Sequence, residues 1–241
     1  HTINGNLTWN LGRDGDFRGA FLCVSIGAGY FSSLSNTLTI NGNFNINNNS
    51  WVHVAHNGDE GGDIYSALNV SKDLNISSDS ELSLISNGGS GNDPTIHASL
   101  NVGGTVYNSG RLISYGGPQA GRTYGSFSIN NLVNAGTFIF DSPNALNGTF
   151  NNVTQTGGYF QQGGTNDFHI NGTLTVSGGT LGNNDAIVVG ADSGKFSVGQ
   201  NLNLAGGSVS NLSVLTHVGG SVLVSGGSYG IGTLNKSNGS L

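Results

Sequence analysis

Residues 169–182, HINGTLTVSGGTLG, decide the fold because apolar residues alternate with small or polar ones on both sides of a glycine pair. Alternation with a period of two is typical of a β-strand that buries one face, and paired glycines between two such runs indicate a turn. Leu174 and Val176 are therefore predicted to point inward, with Thr173, Thr175 and Ser177 pointing outward.

Nearly the same pattern recurs along the chain, as in INGNLTWNLG (residues 3–12) and SVGQNLNLAGGSVS (residues 197–210). A small residue interrupts the alternation once in each repeat, and we call it the marker. Intervals between markers range from 20 residues (Gly207 to Gly227) to 38 residues (Gly12 to Ser50). The markers are Gly12, Ser50, Ser80, Gly110, Gly136, Gly158, Gly179, Gly207 and Gly227.

Each repeat reads as three short strands separated by an Asn/Gly turn and a Gly/Ser turn. A period of about 20 residues with variable insertions indicates a solenoid, in which stacked coils bury one apolar column. Frequent glycine disfavours helical solenoids, and Asp does not stand in register with the glycine pairs as a calcium-binding β-roll requires. The predicted fold is an all-β, right-handed parallel β-helix with inserted loops and about nine coils. It forms one domain over residues 1–241, which we expect to be a fragment of a longer protein.

The composition narrows the classes of partner. Charged residues make up 8% of the chain and the formal net charge is −6, so a basic surface for nucleic acid is not expected. No apolar run approaches the roughly 18 residues of a membrane-spanning helix. The single cysteine, Cys23, excludes an internal disulfide and is expected to be a buried apolar side chain rather than a reactive thiol.

Insertions that lengthen some repeats are predicted to carry recognition, because solenoids bind through loops on one face. They cover residues 12–36, 87–97, 116–125 and 183–195. The third insertion and the strand before it contain aromatic and arginine side chains, which suit glycan or protein surfaces. The candidate binding residues are Arg111, Tyr115, Arg122 and Tyr124, with a solvated covering loop as the alternative.

No enzyme, cofactor or metal site is predicted. The chain has two glutamates, Glu60 and Glu81, and no carboxylate pair whose spacing indicates glycoside chemistry. HVAHNGDEGGD (residues 53–63) concentrates His53, His56 and three acids, but its spacing matches no zinc or calcium motif, so an exposed acidic turn is expected.

Three stretches resemble the passenger domains of Gram-negative autotransporters. Among these, the repeats are most similar to those of the vacuolating-cytotoxin-like and adhesin groups of Helicobacter and Campylobacter. The three stretches are LTINGNFNINNNS (38–50), LNVSKDLNISSDSELSLIS (68–86) and FSVGQNLNLAGGSVS (196–210). The resemblance implies a non-enzymatic adhesin, secreted or held on the bacterial surface. Its partner would be a host-cell glycan or protein, or another copy of itself. The alternatives are a vacuolating-toxin-like subunit and a carbohydrate-active β-helix enzyme or phage tail fibre segment.

One sequon stands apart from the many chance Asn-x-Ser/Thr matches. DLNIS (residues 73–77) places an acid two residues before Asn75 and so resembles the extended N-glycosylation sequon of Campylobacter-like bacteria. Leu74 and Ile76 are predicted to point inward, which leaves Asn75 outward and accessible. Asn75 is therefore a candidate glycosylation site.

Overall fold

The computed structural model describes residues 1–11, 21–27, 33–57, 63–87, 95–115, 123–141, 148–163, 168–181, 196–212 and 215–231. Within these ranges the regular structure is entirely β, in two long sheets whose strands pair in parallel. This confirms the prediction of an all-β chain with the sheet arrangement of a β-solenoid. The inserted loops predicted over residues 87–97, 116–125 and 183–195 fall largely outside the described residues. Within the insertion predicted over residues 12–36, the described residues 21–27 and 33–36 instead belong to the strands Phe21–Gly27 and Ser33–Ile40.

The larger sheet contains 15 strands and forms two of the three sides of the solenoid. Its strands are β1 (Thr2–Ile3), β2 (Leu7–Trp9), β4 (Ser33–Ile40), β5 (Phe44–Ile46), β7 (Asp63–Val70), β8 (Leu74–Ile76), β10 (Ile96–Asn108), β12 (Thr123–Asn134), β14 (Gly148–Gln155), β16 (Phe168–Ile170), β17 (Leu174–Val176), β19 (Phe196–Val198), β20 (Leu202–Leu204), β22 (Leu215–Val218) and β23 (Val222–Val224). The long strands β10, β12 and β14 run through both sides.

The smaller sheet contains 9 strands and forms the third side. Its strands are β3 (Phe21–Gly27), β6 (Trp51–Asn57), β9 (Glu81–Asn87), β11 (Arg111–Tyr115), β13 (Thr137–Asp141), β15 (Tyr159–Gly163), β18 (Thr180–Leu181), β21 (Ser208–Leu212) and β24 (Ser228–Ile231). Each strand pairs only with the equivalent strands of the repeats before and after it. The described residues therefore stack as nine coils, numbered 1 to 9 here, in the order of the sequence.

The markers inferred from the sequence form one column of the structure from Ser50 to Gly227, and Gly12 lies outside the described residues. From Ser50 to Gly207, each marker carbonyl accepts a hydrogen bond from the residue that follows the marker of the next coil, at 2.7–3.0 Å. Gly158, Gly179, Gly207 and Gly227 have positive φ, which glycine adopts without steric cost. A side chain at Gly158 would also collide with the carbonyl oxygen of Gly136. Glycine recurs here because the turn and the neighbouring coil both require it.

The interior is a continuous apolar column that is mainly aliphatic in the N-terminal coils, apart from Phe44 and Trp9, and becomes aromatic in the middle coils. Leu174 and Val176 are fully buried and Ser177 is exposed, as the alternation predicts. Phe138 stacks on Phe160 with ring centroids 4.7 Å apart, and Phe150 stacks on Phe168 at the same distance. These separations match the spacing of about 4.8 Å between paired strands, so large rings pack without disturbing the register.

A buried amide ladder runs beside this column where one coil turns toward the smaller sheet. Asn108 Nδ2 donates to Asn134 Oδ1 at 2.6 Å, and Asn134 Nδ2 donates to Gln155 Oε1 at 2.8 Å. Asn134 Nδ2 also lies 3.1 Å from the Tyr159 carbonyl oxygen. All three amide side chains are buried, so each depends on its neighbours for hydrogen bonds.

Similar ladders on the outside join successive coils in contact with solvent. Asn75 donates to Asn45 and Asn101 donates to Asn69, both at 2.8 Å, and Asn151 donates to Asn130 at 2.6 Å. These hydrogen-bonded ladders explain why asparagine is frequent at outward positions.

The glycine column gives a matched pair of substitutions in one turn. Gly158→Ala is expected to lower the free energy of unfolding by about 1–3 kcal/mol, because alanine resists positive φ and meets the coil below. In Gly157→Ala the new Cβ meets only backbone atoms of Ala135, the nearest of them the carbonyl oxygen at 3.4 Å, which is an ordinary contact, so a change within about 0.5 kcal/mol is expected. Urea unfolding followed by circular dichroism measures both. Equal effects of the two substitutions would contradict the stacking of the markers.

The amide ladder gives a second pair. Asn134→Ala is expected to lower the free energy of unfolding by about 1–3 kcal/mol for each buried amide group that it leaves without a hydrogen bond. Asn151→Ala removes an exposed hydrogen bond of the outer ladder and is expected to lower the free energy of unfolding by about 0.5 kcal/mol or less. Urea midpoints compare the two variants, and a wild-type midpoint for Asn134→Ala would show that the buried ladder does not stabilise the fold.

Candidate functional site

Of the four predicted binding residues, the structure describes the side chains of Arg111 and Tyr124, which lie in different sheets. Arg111 begins β11 in the smaller sheet, where its side chain is 55% exposed and pairs with Glu81 at 2.8 Å. Tyr124 lies in β12 of the larger sheet. Tyr115 ends β11, although its side chain lies outside the described residues, as does the whole of Arg122. The binding role assigned to these four residues stays a prediction.

Tyr124 belongs to an aromatic row on the outer face of the larger sheet, formed by Tyr65, His97 and Tyr124. The three residues occupy one register position in coils 3, 4 and 5. The rings of Tyr65 and His97 are parallel within 3° with centroids 4.7 Å apart, and those of His97 and Tyr124 are parallel within 7° at the same distance. This spacing is close to that of paired strands, so the register itself places the rings face to face.

The aromatic row forms one wall of a solvent-open trough. Two residues further along each strand, small side chains form the floor, namely Thr37, Ala67, Ser99 and Ser126. The next outward position, beyond the floor, carries the ladder in which Asn101 donates to Asn69 at 2.8 Å. The cavity has a volume of about 220 Å³, also lined by Ser35 and Asn36. We call it the aromatic trough.

Tyr65 is the part of the row most open to a ligand. One face of its ring stacks on His97, and the other faces the register position of Ser35 in coil 2. Serine is too small to cover a phenol ring, and Tyr65 remains 44% exposed. The outward side chains that line the trough beside the aromatic row are the hydroxyls of Ser35, Thr37, Ser99 and Ser126 and the methyl group of Ala67. The trough therefore combines an open aromatic face with neutral hydrogen-bonding groups.

Sequence reasoning found Tyr124 but not its partners Tyr65 and His97. The three residues lie in separate repeats of unequal length, so their shared outward position is not evident from any single repeat. The signal is present in the sequence, because IYSALNV, IHASLNV and TYGSFSI each place the aromatic residue second. Alignment on the buried residues that follow, Leu68, Leu100 and Phe127, brings the three rings to one position.

The histidines of residues 53–63 occupy a different side of the solenoid, in β6. His53 is only 6% exposed and lies in register with Cys23 and Ser83, so the expectation of an exposed turn is wrong for this residue. Burial lowers its pKa to about 4, and the positive charge of nearby His56 contributes. The ring centroids of the two histidines are 5.9 Å apart. Asp59 and Glu60 lie outside the described residues.

Metal binding gains no support from this segment. Asp63 is used in the fold, where its Oδ1 accepts from the backbone N–H of Thr95 at 3.1 Å. Among the residues that the structure describes, no three His, Cys, Asp or Glu side chains are grouped as metal ligands would be.

Cys23 has the properties of a structural thiol. Its Sγ donates to the carbonyl oxygen of Ser25 at 2.9 Å. Burial raises its pKa to about 11, against the opposing effect of backbone hydrogen bonds at Ser25 and His56. The thiolate, which is the nucleophile, is therefore scarce at neutral pH. Cys23 is half-buried, whereas the sequence predicted a buried side chain, and His53 is its register partner on the neighbouring strand.

Asn75 points outward as predicted, between the buried Leu74 and Ile76. Its Nδ2, the atom to which a glycan would be attached, donates to Asn45 Oδ1 at 2.8 Å in the outer ladder. Glycosylation in the folded state would have to replace this bond. Modification of Asn75 stays a prediction.

No family model, curated protein or solved structure matches this chain. Within the described ranges, no helix has the length and apolar character needed to cross a membrane.

Acidification tests the burial of His53. Unfolding takes His53 from a pKa of about 4 to its ordinary value near 6.5, so the unfolded chain binds a proton that the folded chain excludes. The stability that neutral His53 contributes is present above about pH 6.5 and is lost as the pH falls toward 4. His53→Gln is expected to flatten the pH dependence of the urea midpoint over this window. His217→Gln, at an exposed position, is the control and is expected to keep the wild-type slope. A wild-type slope in His53→Gln would contradict the assignment.

Proposed function

We propose that the protein is a non-enzymatic autotransporter passenger, secreted or displayed on the bacterial surface, that acts as an adhesin through an extended β-helix surface. The observation that carries the proposal is the stacking of coils into one continuous body with polar rows along its outer face. Such a surface repeats similar groups at each coil. Its partner is a host-cell glycan or protein, or another copy of the chain.

Repetition supplies the mechanism of binding. Outward asparagine, serine and threonine side chains recur in register from coil to coil, so a partner that spans several coils makes several contacts of one kind. Individually weak contacts become effective when they are held at fixed spacing, because each later contact forms within an existing complex. A rigid solenoid keeps that spacing.

The hydrogen bonds of the described carboxylates favour a binding role over catalysis. Asp73 Oδ1 accepts from the N–H of Thr105 at 2.8 Å, and Asp79 accepts from Ser77, which lowers the pKa of Asp79. Glu81 pairs with Arg111 at 2.8 Å. These carboxylates hold turns and coils together, whereas glycoside hydrolysis needs two of them facing a common substrate.

The proposal includes a right-handed winding of the coils. Connections between parallel strands of one sheet are right-handed in nearly all proteins, because the strand twist favours that return path. Each coil of this solenoid makes such a connection.

Binding of the purified, fluorescently labelled protein to cultured epithelial cells tests the proposal. Saturable binding is expected, and unlabelled protein should compete with it. A size-matched β-helix of unrelated sequence is the control for non-specific adhesion. Binding that neither saturates nor exceeds this control would contradict an adhesin role.

A further inference from the structure

We propose that the aromatic trough is a glycan-binding site that stacks a neutral pyranose ring on the open face of Tyr65. The inference rests on the proposed adhesin function and gives its ligand a chemical class. It goes beyond the cluster predicted from the sequence, because Tyr65 and His97 were not part of that cluster and Arg111 lies on another side of the solenoid.

The first argument is the geometry of the ring. His97 covers one face of Tyr65 at a centroid distance of 4.7 Å and is itself held by Tyr124 on its other side. The phenol ring is therefore held perpendicular to the solenoid axis, and its second face is directed toward Ser35. Pyranose rings present C–H groups on one face, and these pack favourably on the negative face of an aromatic ring. Because the ring is already ordered, binding loses little side-chain entropy.

The second argument is the supply of hydrogen bonds around that face. Ser35, Thr37 and Ser99 contribute hydroxyl groups to the lining. Hydroxyl groups both donate and accept, which suits the hydroxyls of a sugar. The cavity of about 220 Å³ is smaller than drug-sized pockets of about 300–1,000 Å³, so it accommodates one ring with the rest of the ligand outside.

The third argument is charge. No lysine, arginine, aspartate or glutamate is among the described residues that line the trough. Asp63 lies two residues before Tyr65 on the same strand, and its carboxylate accepts from Thr95. A sialylated or sulfated glycan would find no lysine or arginine among the described lining residues and would approach this carboxylate, so a neutral glycan is favoured.

A peptide is a poorer occupant for a structural reason. Extended peptides bind sheets by adding a strand at an edge, where backbone groups are free to pair. The trough lies on the face of the larger sheet, between strands that already pair with each other from β4 through β7 and β10 to β12. Side chains provide its wall and floor.

A second cavity supports a ligand longer than one ring. It has a volume of about 350 Å³ and is lined by Thr39, Asn69, Asn101 and Ser128, which occupy the outward position next to the floor of the aromatic trough, and by Ser71 and Gly103 beyond them. A chain of sugars that leaves Tyr65 can therefore cross the amide ladder and reach further polar groups.

Binding to an array of neutral oligosaccharides with two to six rings, together with sialylated and sulfated counterparts, tests the proposal. We expect one or more neutral members to bind wild-type protein, with weaker binding of the acidic counterparts. For a neutral member that binds, titration should show that Tyr65→Ala raises Kd about tenfold or more, whereas Tyr65→Phe stays within about threefold because the ring is kept.

Two further variants separate the trough from general surface effects. Tyr107→Ala removes a tyrosine that is 46% exposed, similar to Tyr65, but lies outside the trough, and it should bind like wild type. Ser99→Leu fills the floor while leaving Tyr65 in place, and it should weaken binding. Wild-type binding by Tyr65→Ala, or the absence of any neutral glycan that binds wild-type protein, would overturn the proposal.

The cell-binding assay distinguishes this inference from the proposed function. If Tyr65→Ala still binds cells saturably and no glycan binds, the adhesin proposal stands and the glycan site is wrong, which directs attention to a protein partner. If glycans bind through Tyr65 but cells are not bound, the site is correct and the adhesin role is wrong.

Discussion

The hydrogen bond between the marker turns of successive coils constrains the rest of the structure. Each marker carbonyl must lie close to the backbone N–H of the next coil, and in the C-terminal coils the marker also has positive φ. Only a residue with little or no side chain satisfies both conditions. Once the turns stack at this separation, the strands on either side pair in parallel and the alternation of the sequence decides which side chains are buried.

The same register determines which side chains form rows on the outer face. Any residue type placed at one outward position in successive repeats becomes a row along the solenoid, which is how isolated asparagines become ladders and how Tyr65, His97 and Tyr124 become a stack. Buried positions tolerate little variation because they share one packed column. Outward positions contribute less to stability, and recognition can change there without loss of the fold.

The sequence predicted the coil well and the candidate site poorly. The markers, the buried Leu174 and Val176 and the outward Asn75 follow from a local period of two and a turn chemistry that single repeats reveal. The aromatic row depends on which residues of different repeats share a register, and unequal repeat lengths hide that relation. The burial of His53 was also missed, because it arises from packing on the outer side of the smaller sheet rather than from the alternation.

Distances between spin labels test the stacking most directly. Thr39, Ser128 and His217 lie on one outward row of the larger sheet, through an unbroken series of register partners in coils 2 to 9. In a Cys23→Ser background, labelled cysteines at 39 and 128 are separated by three strand spacings and those at 39 and 217 by seven. The stacked solenoid predicts that the second distance exceeds the first by four strand spacings of about 4.8 Å, or about 19 Å. The length of the label linkers contributes equally to both distances and so cancels in this difference. Similar distances for the two pairs would mean that the chain folds back on itself, and would contradict the stacked solenoid.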